Sequence, residues 1–158
     1  MNPFFTPADV ADLDRLLELM REFYASEHLR FDEPAARLAL QQLLTDRASG
    51  VVHLIHWDAE VIGYVVLTFG FSLECHGRNA LLDELYVRER FRGRGAGKAS
   101  LQWIEAICRR EGIHAVHLEV ERANTRAQAV YRQAGYVAHD RYVLTKWLEA
   151  PCGTMLPS

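Results

Sequence analysis

Between Glu89 and Ser100 the chain reads ERFRGRGAGKAS, with glycines at 93, 95 and 97 and cations at 90, 92, 94 and 98. Glycine is costly in regular structure, so three at alternate positions suggest backbone in unusual dihedrals or close to a ligand. The flanking Arg90, Arg92, Arg94 and Lys98 suggest that the ligand is an anion. The loop falls between an apolar strand and a stretch with helical periodicity. A helix N-terminus there would present unpaired N–H groups and partial positive charge to a phosphate. A Walker A loop would need glycine at 92 and a hydroxyl at 99, where Arg92 and Ala99 stand. A dinucleotide fingerprint starting at Gly93 would need glycine at 98, which is Lys98.

Just upstream, Asp83 and Glu84 interrupt an apolar strand. Adjacent strand residues face opposite sides, so only one carboxylate should enter a given site unless a bulge intervenes. Other chemistries are harder to assemble. His53/His56 and His114/His117 are each three apart within strand-like segments, which separates them onto opposite faces, so no metal is expected. Cys75 and His76 are neighbours in GFSLECHGR, a segment expected to be a loop shaping a substrate pocket, with nothing to fix a nucleophile–base geometry.

The elements that must hold these groups follow from periodicity. Thr6-Pro7-Ala8-Asp9 has the form of a helix start, and Val10, Leu13, Leu17, Met20 and Tyr24 keep helical spacing. A second helix is expected over about 34–46, with Ala36, Leu40, Leu43 and Leu44 inward. VVHLIHW and VIGYVVLTFGF read as a hairpin joined at Asp58-Ala59-Glu60, and ALLDELYV as the next strand. From Gly97, Leu101, Ile104 and Cys108 form a helical stripe that Gly112 stops. HAVHLEVE reads as a strand. Thr125 and Gln128 suggest a capping box for a helix carrying Ala127, Val130, Tyr131 and Ala134 on one face. YVAHDRYVLTKWL is expected to return to strand. The order β-α-α-β-β-β-α-β-α-β-β makes a mixed α/β (α+β) layer structure.

Composition fits one domain over residues 1–150, with a short irregular tail at 151–158. The 158 residues are 49% apolar and 25% charged, with formal net charge -3, which argues against general nucleic-acid binding. The N-terminus lacks the basic and long apolar regions of a signal peptide, and the longest apolar run is too short for a membrane helix. Cys75, Cys108 and Cys152 are odd in number and widely spaced, as expected for reduced thiols in the cytoplasm.

The pattern that fits the loop is R-x-x-G-x-G, as Arg92-Gly93-Arg94-Gly95-Ala96-Gly97. It follows LDELYV and precedes HLEVE, Asn124, and Tyr131 before RQAGY. In this order the chain resembles the GNAT superfamily of N-acetyltransferases, from the first helix to YVLTKW. The resemblance implies a GNAT-like fold, a central mixed and mostly antiparallel sheet flanked by about four helices. It implies that the loop, with Arg92, Gly93, Arg94, Gly95, Ala96, Gly97 and Lys98, binds the pyrophosphate of acetyl-CoA. The pantetheine arm would lie along Leu85, Tyr86 and Val87, with Asn124 as a further contact. Tyr131 would protonate the departing thiolate, with helix core as its plainer alternative, just as helix entry is for Asn124.

Polyamine-type members show an acidic pair that resembles Asp83-Glu84, and in that register Asp83 takes the catalytic position. Either carboxylate could instead only attract a cation or order water. The implied activity is direct transfer of acetyl to a primary amine, with a small cationic molecule as acceptor. Rival readings are acetylation of a protein N-terminus or lysine, and a non-catalytic acyl-CoA sensor. No nucleic-acid or membrane partner is expected, and a homodimer remains open.

Overall fold

Largely apolar runs on either side of Asp58-Ala59 build a tight hairpin, with Asp58 in the left-handed region (φ 53°). This hairpin joins β2 (Gly50–Trp57) to β3 (Glu60–Ser72) at the centre of a five-stranded sheet. The computed structural model describes residues 2–148. β1 (Phe4–Pro7) borders β2, and β4 (Gly77–Val87) borders β3, all antiparallel. β5 (Ala115–Leu118) adds to β4 in parallel after the crossover helix α3 (Ala96–Arg110). α1 (Leu13–Ser26) and α2 (Glu33–Thr45) follow β1, and α4 (Thr125–Gln133) follows β5. The expected architecture, a mixed and mostly antiparallel sheet with four α-helices, is the one observed.

The sheet buries a core on each face. Leu16, Leu17 and Met20 of α1 and Leu40 of α2 pack on Val52, Leu54, Tyr64 and Val66. On the other face Leu101, Ile104, Ile107 and Cys108 of α3 pack on Val65, Leu67, Ala80 and Leu82. Burial raises the Cys108 thiol to about 11, as befits a packing residue.

Four local expectations are corrected. Thr6 and Pro7 lie in β1, where Thr6 Oγ1 bonds His56 Nε2 at 2.8 Å. The capping box sits three residues later, at Asp9 and Asp12, because β2 captures the opening residues first. At α4 the cap is Asn124, whose Oδ1 accepts the Ala127 N–H at 3.0 Å. Gln128 instead reaches back to the Glu121 and Arg122 carbonyls. GFSLECHGR is mostly strand, with a turn only at 73–76, since β3 and β4 run on to Ser72 and Gly77. Residues 136–148 form no strand. Tyr142, Val143, Leu144 and Leu148 are exposed there. Apolar content suggested strand, but a strand needs a partner edge, and β5 is only four residues long. The proposed tail, Cys152 and the last two residues of the expected domain lie outside the described residues.

Among the described residues no helix is long and apolar enough to cross a membrane.

Candidate active site

The site is organised by one irregularity in β4. Val66 pairs with Glu84 but Leu67 pairs with Leu82, so Asp83 is an extra residue on its strand. Leu82 faces the α3 core. Two residues on, Glu84 faces α1 instead, because the bulge reverses the alternation. The β4–β5 ladder ends at the same place, at Leu82–Leu118. Beyond it no strand pairs with that edge of β4 among the described residues. The Arg88 N–H donates to Ile62 O at 2.8 Å, which fixes the alternation of the β3–β4 ladder. The main chain of Tyr86 therefore faces β3, while that of Leu85 and Val87 faces the open edge.

The open edge runs into the glycine loop. Arg92 Nε bonds Val87 O at 2.8 Å, and its guanidinium lies over the Tyr86 ring. Arg94 lies over Phe91. Gly93 (φ 75°) and Gly95 (φ 91°) adopt left-handed backbone, and Gly95 is the N-cap of α3. Gly97 differs: it is helical, and a Cβ there would meet nothing within 4 Å. Its lack of a side chain serves no internal packing. It leaves the first turn of α3 open over the N–H groups of Ala96, Gly97 and Lys98, which have no partner four residues back within the helix. These residues fit an extended acyl carrier with a pyrophosphate. Arg88 is tied to Glu18 at 2.8 Å and Glu22 at 2.7 Å. Arg90 pairs with Glu60.

On the α1–α2 side, Asp83 and Glu84 line a pocket of about 470 Å³ whose walls include Met20, Ala36, Leu40, Leu43 and Val66. Both carboxylates thus reach one pocket, by means of the bulge. Glu84 accepts hydrogen bonds from Tyr24 at 2.7 Å and Tyr64 at 2.8 Å. Burial pushes its carboxyl above the usual range, and the two hydroxyls oppose that shift. Asp83 is more open, yet partial desolvation and then the Glu119 charge also raise it. Tyr24 and Tyr64 are both raised, first by burial and then by Glu84, so they stay protonated as donors. Sequence reasoning missed these two as polar groups. Tyr24 reads as part of the α1 apolar stripe and Tyr64 as part of VIGYVV; a hydroxyl at a buried position was the available signal.

Tyr131 of α4 packs against the α3-side core and Tyr136, ring centroids 5.8 Å apart. Burial, then Glu27, raises its hydroxyl above the usual phenol value. Asn124 uses its carboxamide oxygen as the α4 cap. Elsewhere, Cys75 Sγ lies 3.6 Å from Nε2 of His117 and not beside a base from His76. The 73–76 turn does not line the pocket, so it does not shape it as expected. Among the described residues no group of three His, Cys, Asp or Glu side chains could hold a metal ion.

A sheet opened at one strand, leading into a helix-capping glycine loop beside a small acidic-floored pocket, has the form of a group transferase. A profile of the acetyltransferase (GNAT) family matches residues 13–136. The chain belongs to that family, which uses acetyl-CoA as cosubstrate, and its enzyme class is N-acetyltransferase. The L-methionine sulfoximine/L-methionine sulfone acetyltransferase of Pseudomonas aeruginosa is 28% identical over 86% of this chain and 81% of its own. Mycothiol acetyltransferase of Jonesia denitrificans is 33% identical over 59% of this chain, but only 28% of its own length is spanned. An integron cassette protein from the Cole Harbour Salt Marsh metagenome superposes with TM-score 0.83 and 33% identity, covering 93% of this chain and 91% of that one.

Proposed function

We propose that this chain transfers acetyl directly from acetyl-CoA to the primary amine of a small molecule that presents a cationic group. The observation that carries this reading is the bulge at Asp83, which turns an acidic pair into a small pocket where the open edge of β4 begins. A relative that acts on L-methionine sulfoximine, an amino-acid derivative, supports a small acceptor. A protein N-terminus or lysine would need an open peptide groove, which a pocket of about 470 Å³ under the α1–α2 connection does not favour.

The amine arrives as an ammonium ion, attracted by Asp83 and Glu84. At a pKa near 10.4 it must lose a proton, which costs roughly 4–5 kcal/mol at neutral pH. Both Glu84 oxygens already accept tyrosine hydroxyls. Asp83, more open and raised toward the working range, is therefore the better acceptor of that proton. The amine nitrogen then bonds the thioester carbonyl carbon, whose oxygen a β4 edge N–H, from Leu85 or Val87, polarises. The C–S bond breaks and Tyr131 donates its proton to the thiolate; a raised phenol is in the right state to do so. Arg92, Arg94 and the N–H groups from Gly93 to Lys98 hold the pyrophosphate, and Asn124 adds a contact through its free amide nitrogen.

The test is thiol release from acetyl-CoA against polyamines, amino acids, aminoglycosides and peptides, with Tyr131→Phe in parallel. Turnover on a small amine is expected, with kcat lowered about 100-fold or more in the variant, the range for loss of a general acid. Silence on every amine, with acetyl-CoA still bound, would favour an acyl-CoA sensor.

A further inference from the structure

The acceptor pocket is lined by side chains of both charges. Its floor is acidic, with Glu84 fixed by two tyrosine hydroxyls and Asp83 beside it. Its walls are apolar: Met20, Ala39, Leu40, Leu43 and Val66. At the α1–α2 connection the pocket is bordered by Asp32 and by Arg30, the only basic side chain along its lining among the described residues.

The acidic side chains near Arg30 in sequence have partners other than Arg30. Glu33, three residues on, pairs with Arg21 and, at 3.6 Å, with Arg37. Arg37 also takes Asp14, at 2.8 Å. The Asp32 carboxylate caps α2 by accepting the Ala35 N–H at 3.1 Å. Arg30 itself enters no ion pair among the described residues, whereas Arg21, Arg37, Arg88 and Arg90 all do. The ring of Phe31 packs edge-on to Tyr24, at 5.4 Å between centroids, and Tyr24 bonds Glu84. The segment that carries Arg30 is thus anchored to the acidic floor through two aromatic residues. A carboxylate in this pocket would find a planar donor fork at Arg30.

We infer that the acceptor is an amino acid, its ammonium group set against Asp83 and Glu84, its side chain on the apolar wall and its carboxylate on Arg30. This assigns Arg30 as a specificity-determining residue and rests on the reading of the pocket as the acceptor site of an amine acetyltransferase. The reaction is unchanged: the same C–N bond forms and the same C–S bond breaks. Arg30 touches only the non-reacting end of the acceptor, so its effect is on binding and not on proton transfer.

The test uses matched pairs that differ only in the carboxylate, each amino acid beside the amine left by its decarboxylation: methionine, leucine and lysine with their decarboxylated counterparts. For at least one pair the amino acid is expected to have kcat/KM about 10- to 100-fold higher, the range of a charge-assisted hydrogen bond, expressed in KM. Arg30→Gln should abolish the difference by raising KM for the amino acid, and Arg30→Lys should restore part of it. Matching thermal unfolding of the three proteins excludes a folding defect in this exposed connection. If decarboxylated amines or polyamines serve as well in every pair, or if Arg30→Gln leaves the ratio unchanged, the inference is overturned while the acetyltransferase reading stands. If no amine of either kind releases thiol, that reading fails and the inference with it.

Discussion

Glu84 is a carboxylate held where a carboxylate is expensive. Burial raises it, and only the hydroxyls of Tyr24 and Tyr64 pull it back. A carboxyl whose folded pKa lies above its unfolded one loses stability as pH rises from the unfolded value, 4.5, through the folded one. Above that window the protein carries the full cost. Glu84→Gln keeps the shape and removes the charge, and the tyrosine hydroxyls can rotate to meet an amide. The variant should therefore be at least as stable as the parent at pH 8 and show less loss of stability between pH 5 and 8. Its turnover of a cationic amine should fall about 10-fold or more, since the pocket loses a fixed negative charge. Urea unfolding at the two pH values, with kcat/KM on the same samples, checks both halves. A variant destabilised at pH 8 would mean that Glu84 is a structural hub and not a charge kept for its acceptor.

At the level of elements, β2 and α3 meet through His53 and Trp103, ring centroids 4.4 Å apart. His53 is only 7% exposed, its Nδ1 has no hydrogen-bond partner among the described residues, and burial, reinforced by Arg47 and Arg110, lowers it to about 4. The unfolded chain takes up this proton near pH 6.5, so the folded state should weaken as pH falls from there to 4, by up to about 3 kcal/mol. His53→Phe, which cannot protonate, should flatten that decline in denaturant titrations at pH 7, 6 and 5; an unchanged decline would place its origin elsewhere. The strand itself was readable from VVHLIHW, as were the hairpin, the crossover helix α3, the helix α4 and the glycine loop, because each rests on a local period or a local turn. Elements that depend on partners were not. β1 takes Thr6 and Pro7 from the helix start only because β2 is there to pair with them. Residues 136–148 look like strand to any local rule but pair with no strand among the described residues. The acidic pair was legible as chemistry from Asp83-Glu84, and a bulge was the stated condition for both to enter one site. That it exists, and that Tyr24 and Tyr64 come from 60 and 20 residues away to hold Glu84, is a matter of three-dimensional register.

The whole molecule is a sheet whose two halves are held by different means. α1 is pinned to β4 by Tyr24–Glu84, Tyr86–Glu22 and the Arg88 ion pairs. On the other flank β4 and β5 part after Leu82, and α4 has no buried residue. A ligand lying along the β4 edge and seated on the glycine loop would tie that looser flank together. Acetyl-CoA at about 100 times its Kd should then stabilise the fold by about 2.7 kcal/mol, a rise of roughly 5–11 °C in Tm for a chain of this size. Pantetheine, which lacks the pyrophosphate, should give much less. Gly97 separates this from a general solvent effect. Because a Cβ there meets nothing within 4 Å among the described residues, Gly97→Ala should stabilise the free protein through better helix propensity, by up to about 1 kcal/mol, and raise its Tm accordingly. The same methyl group would stand where the pyrophosphate must approach the first turn of α3. The variant should therefore be the more stable protein without acetyl-CoA and show a smaller rise with it. A Gly97→Ala protein with the full ligand-induced rise would show that the pyrophosphate does not lie over this turn, whatever the loop's resemblance suggests.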